Sequence, residues 1–173
     1  DQPRSRGLGD VYKRQDHIVD IVINSKVQRP GVCNALETLL INAEVYKEMG
    51  KEVVSSLLNN DVELYVDSII KEDFPRLTIA TDKHFETEFH DLKLAIKVVN
   101  NIEEAISHIN KFSSGHTEAI LTESTDVADL FTSSIDSSVL FINASTRFTD
   151  GEMFGFGAEI GISTQKLHVR GPM

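Results

Sequence analysis

The chain has one cysteine, no tryptophan and four prolines in 173 residues, and its 17 Lys and Arg are outnumbered by 27 Asp and Glu. A single cysteine excludes an internal disulfide. With six histidines scattered without a Cys or His at ligand spacing, it also argues against a zinc site. The formal net charge of -10 leaves no clustered cationic face for a phosphate backbone, so DNA and RNA are not expected partners. No apolar run approaches the roughly 20 residues that a membrane-spanning helix needs. Without a disulfide, and with no basic-then-apolar opening segment, the expected compartment is a reducing cytoplasm. What is present, 40% hydrophobic and 25% charged residues, is the composition of a globular chain whose length suits one domain.

Residues 1–15 carry Arg4, Arg6, Lys13 and Arg14 with little periodicity, and read as a disordered or foreign leader. From Asp16 the texture changes. Ile18, Val19, Ile21, Val22 and Val27 fit one helical face, which must stop before the Pro30-Gly31 break. A short apolar run over residues 36–41 predicts a buried strand, and the spacing of Val45, Met49, Val53, Val54, Leu57 and Leu58 predicts a helix over 43–58. Further strands are expected at 62–66, 94–99, 119–122 and 139–143, with helices over 102–112 and 125–133. This alternation argues for an α/β fold with a largely parallel sheet flanked by helices. Sites in such sheets gather at strand carboxyl ends. The segment Asn143-Ala144-Ser145-Thr146-Arg147-Phe148 leaves the last strand at such an end.

Cys33 follows the Pro30-Gly31 turn directly, which places one thiol at a sharp backbone break. A thiolate is intrinsically nucleophilic where backbone N–H groups or a helix N-terminus stabilise it, so Cys33 is a candidate nucleophile. The alternative is a small hydrophobe in the core. Arg147 offers a planar fork for a carboxylate or phosphate, with the Ser145 and Thr146 hydroxyls beside it; a plain surface arginine is the other reading. Any of His84, His90, His108, His116 and His168 could act as a base, and Cys33 with His116 would make a hydrolase dyad. Glu86, Glu88 and Asp91 read as a solvated acidic edge. Gly155-Phe156-Gly157-Ala158-Glu159-Ile160-Gly161 has the wrong spacing for G-x-G-x-x-G and follows no fresh strand, so turn geometry explains its glycines.

The segment Lys26-Val27-Gln28-Arg29-Pro30-Gly31-Val32-Cys33-Asn34-Ala35-Leu36-Glu37-Thr38-Leu39-Leu40 resembles the active-site segment of the gamma-glutamyl phosphate reductases, in the aldehyde dehydrogenase superfamily. A second match runs from Val139 through Asn143-Ala144-Ser145-Thr146-Arg147-Phe148-Thr149-Asp150-Gly151-Glu152 and on to Arg170-Gly171-Pro172-Met173. Shorter ones lie at Thr87-Glu88-Phe89 and His116-Thr117-Glu118-Ala119-Ile120, so the resemblance covers about residues 16–173.

The resemblance implies an aldehyde-dehydrogenase-type catalytic domain over 16–173, without most of the nucleotide-binding domain and without the C-terminal segment, and a chain inactive alone. It implies NADPH-dependent reduction of L-glutamyl 5-phosphate to L-glutamate 5-semialdehyde with release of phosphate, the second step of proline biosynthesis, through a thioacyl intermediate on Cys33. By chemistry within the matched motifs, Asn143, Ser145, Arg147 and Arg29 would hold the substrate. Glu88 approximates the superfamily glutamate that contacts the nicotinamide ribose, although its spacing from Phe89 departs from Glu-x-Phe. A glutamate kinase as partner or fusion, and a homo-oligomer at full length, are implied in the same way. The alternatives are another acyl-reducing aldehyde dehydrogenase, or a non-catalytic piece.

Overall fold

The computed structural model describes residues 8–149, with side chains from residue 17 onward. Helix α1 (Leu8–Val27) begins well before Asp16, so residues 8–15, expected to lack order, form its first turns. Val22 is buried, and Ile18, Val19, Ile23 and Val27 pack against the core. Steps of three and four from Val22 put Ser25 and Lys26 on that same inward face, and both are buried. The helix stops short of Pro30, as the ring requires.

The chain then turns through residues 30–35 into strand β1 (Thr38–Asn42), two residues later than its apolar run suggested. Asn42 caps the next helix, accepting the Glu44 N–H at 2.9 Å. The single helix expected over 43–58 is instead α2 (Ala43–Val45), a π-helical turn (Tyr46–Gly50) and α3 (Lys51–Asn59). The wide turn lays the buried Tyr46 ring over Gly50, where a Cβ would overlap it, and the Tyr46 hydroxyl donates to Asp73 Oδ2 at 3.0 Å.

Strand β2 (Glu63–Val66) leads to α4 (Ser68–Asp73), whose N-cap Asp67 accepts the Ile70 N–H at 3.0 Å and, with its other oxygen, the Val98 N–H at 2.7 Å. Strand β3 (Thr78–Ile79) and helix α5 (Asp82–Phe85) follow. Neither these two nor α4 was expected, because each is too short to show a period. Strand β4 (Lys93–Val99), α6 (Ile102–Phe112), β5 (Thr117–Ile120), α7 (Thr125–Ser134), β6 (Val139–Ile142) and a 3-10 turn (Thr146–Phe148) complete the described chain.

All strand pairings among the described residues are parallel, in keeping with the expected α/β class. They form two sheets, one ordered β1-β4-β2-β3 and one of β5 and β6. Central strand β4 is covered on both faces, with Leu94, Ala95 and Ile96 fully buried. Val66 of β2, Val54 and Leu57 of α3 and Ile70 of α4 are fully buried in the same core. Each contributes about 1.5–3 kcal/mol of burial.

Candidate active site

A cavity of about 910 Å³ lies between the edge of β1 and the edge of β5, lined by residues of both strands, by α6 and by the turn carrying Cys33. Cys33 is exposed on this wall, which corrects the core-hydrophobe alternative. Its own segment supplies no helix N-terminus, since α1 ends at Val27 and a strand follows. Cys33 precedes β1 and Glu88 precedes β4, so both stand at the amino ends of parallel strands, while Ser145 and Arg147 follow β6 at its carboxyl end. The site therefore forms along the seam between two sheets.

Asn34, beside Cys33 and itself buried, joins the cysteine turn to the far end of the described chain. Its Nδ2 donates to the Thr149 carbonyl and its Oδ1 accepts from Arg147 Nη1. Arg147 Nε donates to Gln28 Oε1 at 3.2 Å, so the guanidinium bridges residues on both sides of Pro30. Among the described residues no carboxylate pairs with Arg147. Its charge faces neutral amide oxygens, which an anion can displace. Ser145 lies beneath: its Oγ accepts the Arg147 N–H at 3.2 Å and stands 2.9 Å from Ser25 Oγ on α1. Thus Asn34 joins the loop that carries Cys33 to the turn that carries Ser145 and Arg147.

Asn143 goes elsewhere. Held at φ 55, it turns its amide onto Thr122, donating to the carbonyl and accepting the N–H, both at 2.9 Å, as an extra rung beyond β6. One N–H and one lone pair of its amide thus serve the Thr122 backbone, away from the Arg147 cluster. Arg29 is exposed on the loop before Cys33. Glu88 is half exposed on the cavity wall, 3.4 Å from His90 Nε2, so the acidic edge is solvated as expected. His116 is buried against the same cavity with Nδ1 2.7 Å from Thr117 Oγ1, and that hydroxyl continues to Thr149 Oγ1 at 2.9 Å. His108, also lining the cavity, is pushed down to about 4 by burial and by Lys97 and Lys111, and stays neutral between the Phe85 and Phe112 rings. Residues 150–173, which hold the rest of the second motif and the glycines at 155, 157 and 161, lie outside the described residues.

Three groups escaped the sequence reading: Asn34, Lys26 and Glu37. Lys26 Nζ is fully buried and 2.9 Å from Glu37 Oε2. Burial pushes the Lys26 ammonium down and the Glu37 carboxyl up from their ordinary values, and each charge opposes the other's shift. One signal was available, a lysine four residues after Val22 on the apolar face of α1.

The fold is that of the aldehyde dehydrogenases. Lactaldehyde dehydrogenase from Escherichia coli superposes with a TM-score of 0.59 over 76% of this chain and 37% of that one, at 14% identity. The chain belongs to the gamma-glutamyl phosphate reductase family. It is 56% identical over 154 residues to the gamma-glutamyl phosphate reductase of Thermoanaerobacter sp. (strain X514), a match covering 89% of this chain and 37% of the relative. The crystal structure of gamma-glutamyl phosphate reductase from Thermotoga maritima matches with a TM-score of 0.88 and 49% identity, over 91% of this chain and 38% of that one. The chain thus spans a little over a third of the length of the relatives it matches. A scan of family models gives no match.

Proposed function

We propose that the chain carries the nucleophile and the substrate-holding groups of an enzyme that reduces L-glutamyl 5-phosphate to L-glutamate 5-semialdehyde, with Cys33 as the attacking thiolate. The observation that carries this reading is the tether from Arg147 through Asn34 to the residue beside Cys33. It joins a cation that has no carboxylate partner among the described residues to the loop that carries an exposed thiol, the pairing an anionic acyl donor needs.

The Cys33 sulfur attacks the acyl carbon, the carbon–oxygen bond to phosphate breaks, and inorganic phosphate leaves with the electron pair. A thioester remains on Cys33. Phosphate is a competent leaving group without a proton, so no general base is required at this step. Arg147 and Ser145 hold the negative end of the substrate, and Arg29 supplies a second cation from the loop. The Glu88 carboxylate, open on the cavity wall, fits a ribose hydroxyl donor. Bound NADPH would supply the hydride that turns the thioester into aldehyde.

By the same reading the longer enzyme is a homo-oligomer and works beside a glutamate kinase, while the 173-residue chain alone does not turn over. No helix among the described residues is long and apolar enough to cross a membrane. The reading is tested by exchanging the matching segment of the Thermoanaerobacter enzyme for residues 16–149 of this chain and following NADP reduction with glutamate 5-semialdehyde and phosphate. Phosphate-dependent turnover is expected. A folded exchange protein without turnover, or with equal turnover on an aldehyde lacking the amino-acid end, contradicts the proposal.

A further inference from the structure

Two charged side chains stand at the two ends of the cysteine loop, and the proposed reaction uses neither. Lys26, in the last turn of α1, is fully buried; Glu37, just before β1, keeps 20% of its side chain exposed, and the two meet at 2.9 Å. An apolar pair of similar volume commonly serves stability as well as a buried ion pair, so stability alone does not account for this one.

Its geometry does more. Beside the pair the Leu36 N–H donates to the Ser25 carbonyl at 2.9 Å, closing the loop at its foot. Glu37 Oε1 then reaches out of the loop and accepts the His90 N–H at 3.2 Å. His90 holds φ 52, a left-handed backbone uncommon for a residue with a Cβ. On its other side the His90 carbonyl packs onto Gly31, where a Cβ would sit 3.6 Å away. One residue therefore touches the cysteine loop on both sides of Cys33, at Gly31 and at Glu37. It lies two positions after Glu88, which shares the cavity wall with Cys33 and Glu37.

We propose that Glu37, anchored by Lys26, is a positioning residue that sets the Cys33 thiol against the Glu88 side of the cavity. The inference rests on reading Cys33 as the nucleophile. Lys26 supplies the charge that keeps Glu37 ionised inside the protein, and the ionised carboxylate is the acceptor that pins His90 beneath the loop.

The test compares the native chain with E37Q and K26M/E37L, reading thermal unfolding and the rate at which iodoacetamide alkylates Cys33. The apolar double variant is expected to recover native stability, while its alkylation rate falls about tenfold toward that of an ordinary thiol, the change that ~1.4 kcal/mol in a barrier produces. E37Q is expected to lose rate similarly; if it does not fold, the double variant decides. A double variant as reactive as the native chain overturns the positioning role and leaves the nucleophile reading intact. A double variant that stays destabilised assigns the pair to stability and also overturns it. A native chain that alkylates no faster than N-acetylcysteine removes the nucleophile reading, and the inference with it.

Discussion

Replacing Lys26 by Met would leave the half-buried Glu37 carboxyl beside a thioether, held by the backbone N–H groups of His90 and Phe89. Breaking a buried pair by removing one partner costs about 3–5 kcal/mol, and the lower end applies because Glu37 keeps 20% of its side chain exposed to water. The cost depends on pH. Burial already raises the Glu37 carboxyl above its ordinary value, and without the ammonium it rises further. Below the unfolded-state value, near pH 4.3, the group is neutral in both states and the penalty is small. Above it the unfolded chain releases a proton that the folded chain keeps, and stability falls by ~1.4 kcal/mol per pH unit until the folded-state value is passed. Urea unfolding followed by circular dichroism at about pH 5 and about pH 7.5 reads this. The gap between K26M and the native chain should widen at the higher pH to roughly 3 kcal/mol. An equal gap at both pH values, or one below about 1 kcal/mol at the higher pH, refutes the reasoning.

Arg147→Ala in the exchange enzyme removes both a substrate anchor and the tether to Asn34, so KM should rise by about 10-fold or more, matching a loss of 1.5–3 kcal/mol, and kcat should fall with it. Arg147→Lys keeps the charge without the fork and should restore KM more than kcat; unchanged constants in both variants contradict the tether. Glu118, on the cavity wall, is raised to about 7 by burial, against the opposing pull of its hydrogen bonds from Ser113 and Ser137. Its contribution is therefore present at acid pH and lost as pH rises from the unfolded value through about 7, up to roughly 3 kcal/mol. Glu118→Gln should flatten the rise of urea midpoint toward acid pH; a native slope in that variant counts against the shift. Gly50→Ala forces the Tyr46 ring away from its bond to Asp73 and should cost about 1–3 kcal/mol in thermal or urea unfolding, and a neutral result would show that the π-turn relaxes freely.

Periodicity made the main frame legible. Strands over 94–99 and 139–143 and the helix over 102–112 coincide closely with β4, β6 and α6, because continuous apolar runs, and an amphipathic stretch opened by Asn100 or Asn101, leave few other structures. The π-turn was not legible: Tyr46, Met49 and Gly50 look like ordinary helix until the ring is seen to need the glycine's empty face. The division into two sheets was hidden as well, since strand signals do not say which edges meet. At the site, the turn chemistry of Pro30-Gly31 and the fork of Arg147 singled out Cys33 and Arg147, and the fold brings the loops that carry them together through Asn34. The bond of Asn143 to Thr122 was not legible, because an asparagine at a strand end can satisfy backbone as readily as it binds a ligand. Lys26 and Glu37 lie 11 positions apart and become partners only when the loop folds back on itself.

The central claim is that the Cys33 sulfur carries the acyl group, and the most direct measurement is to supply freshly generated L-glutamyl 5-phosphate to the exchange enzyme without reductant, quench, digest and locate the adduct by mass. The account predicts a glutamyl thioester on the peptide containing Cys33, absent in Cys33→Ala. An acyl group on another residue, or full turnover by Cys33→Ala, would contradict it.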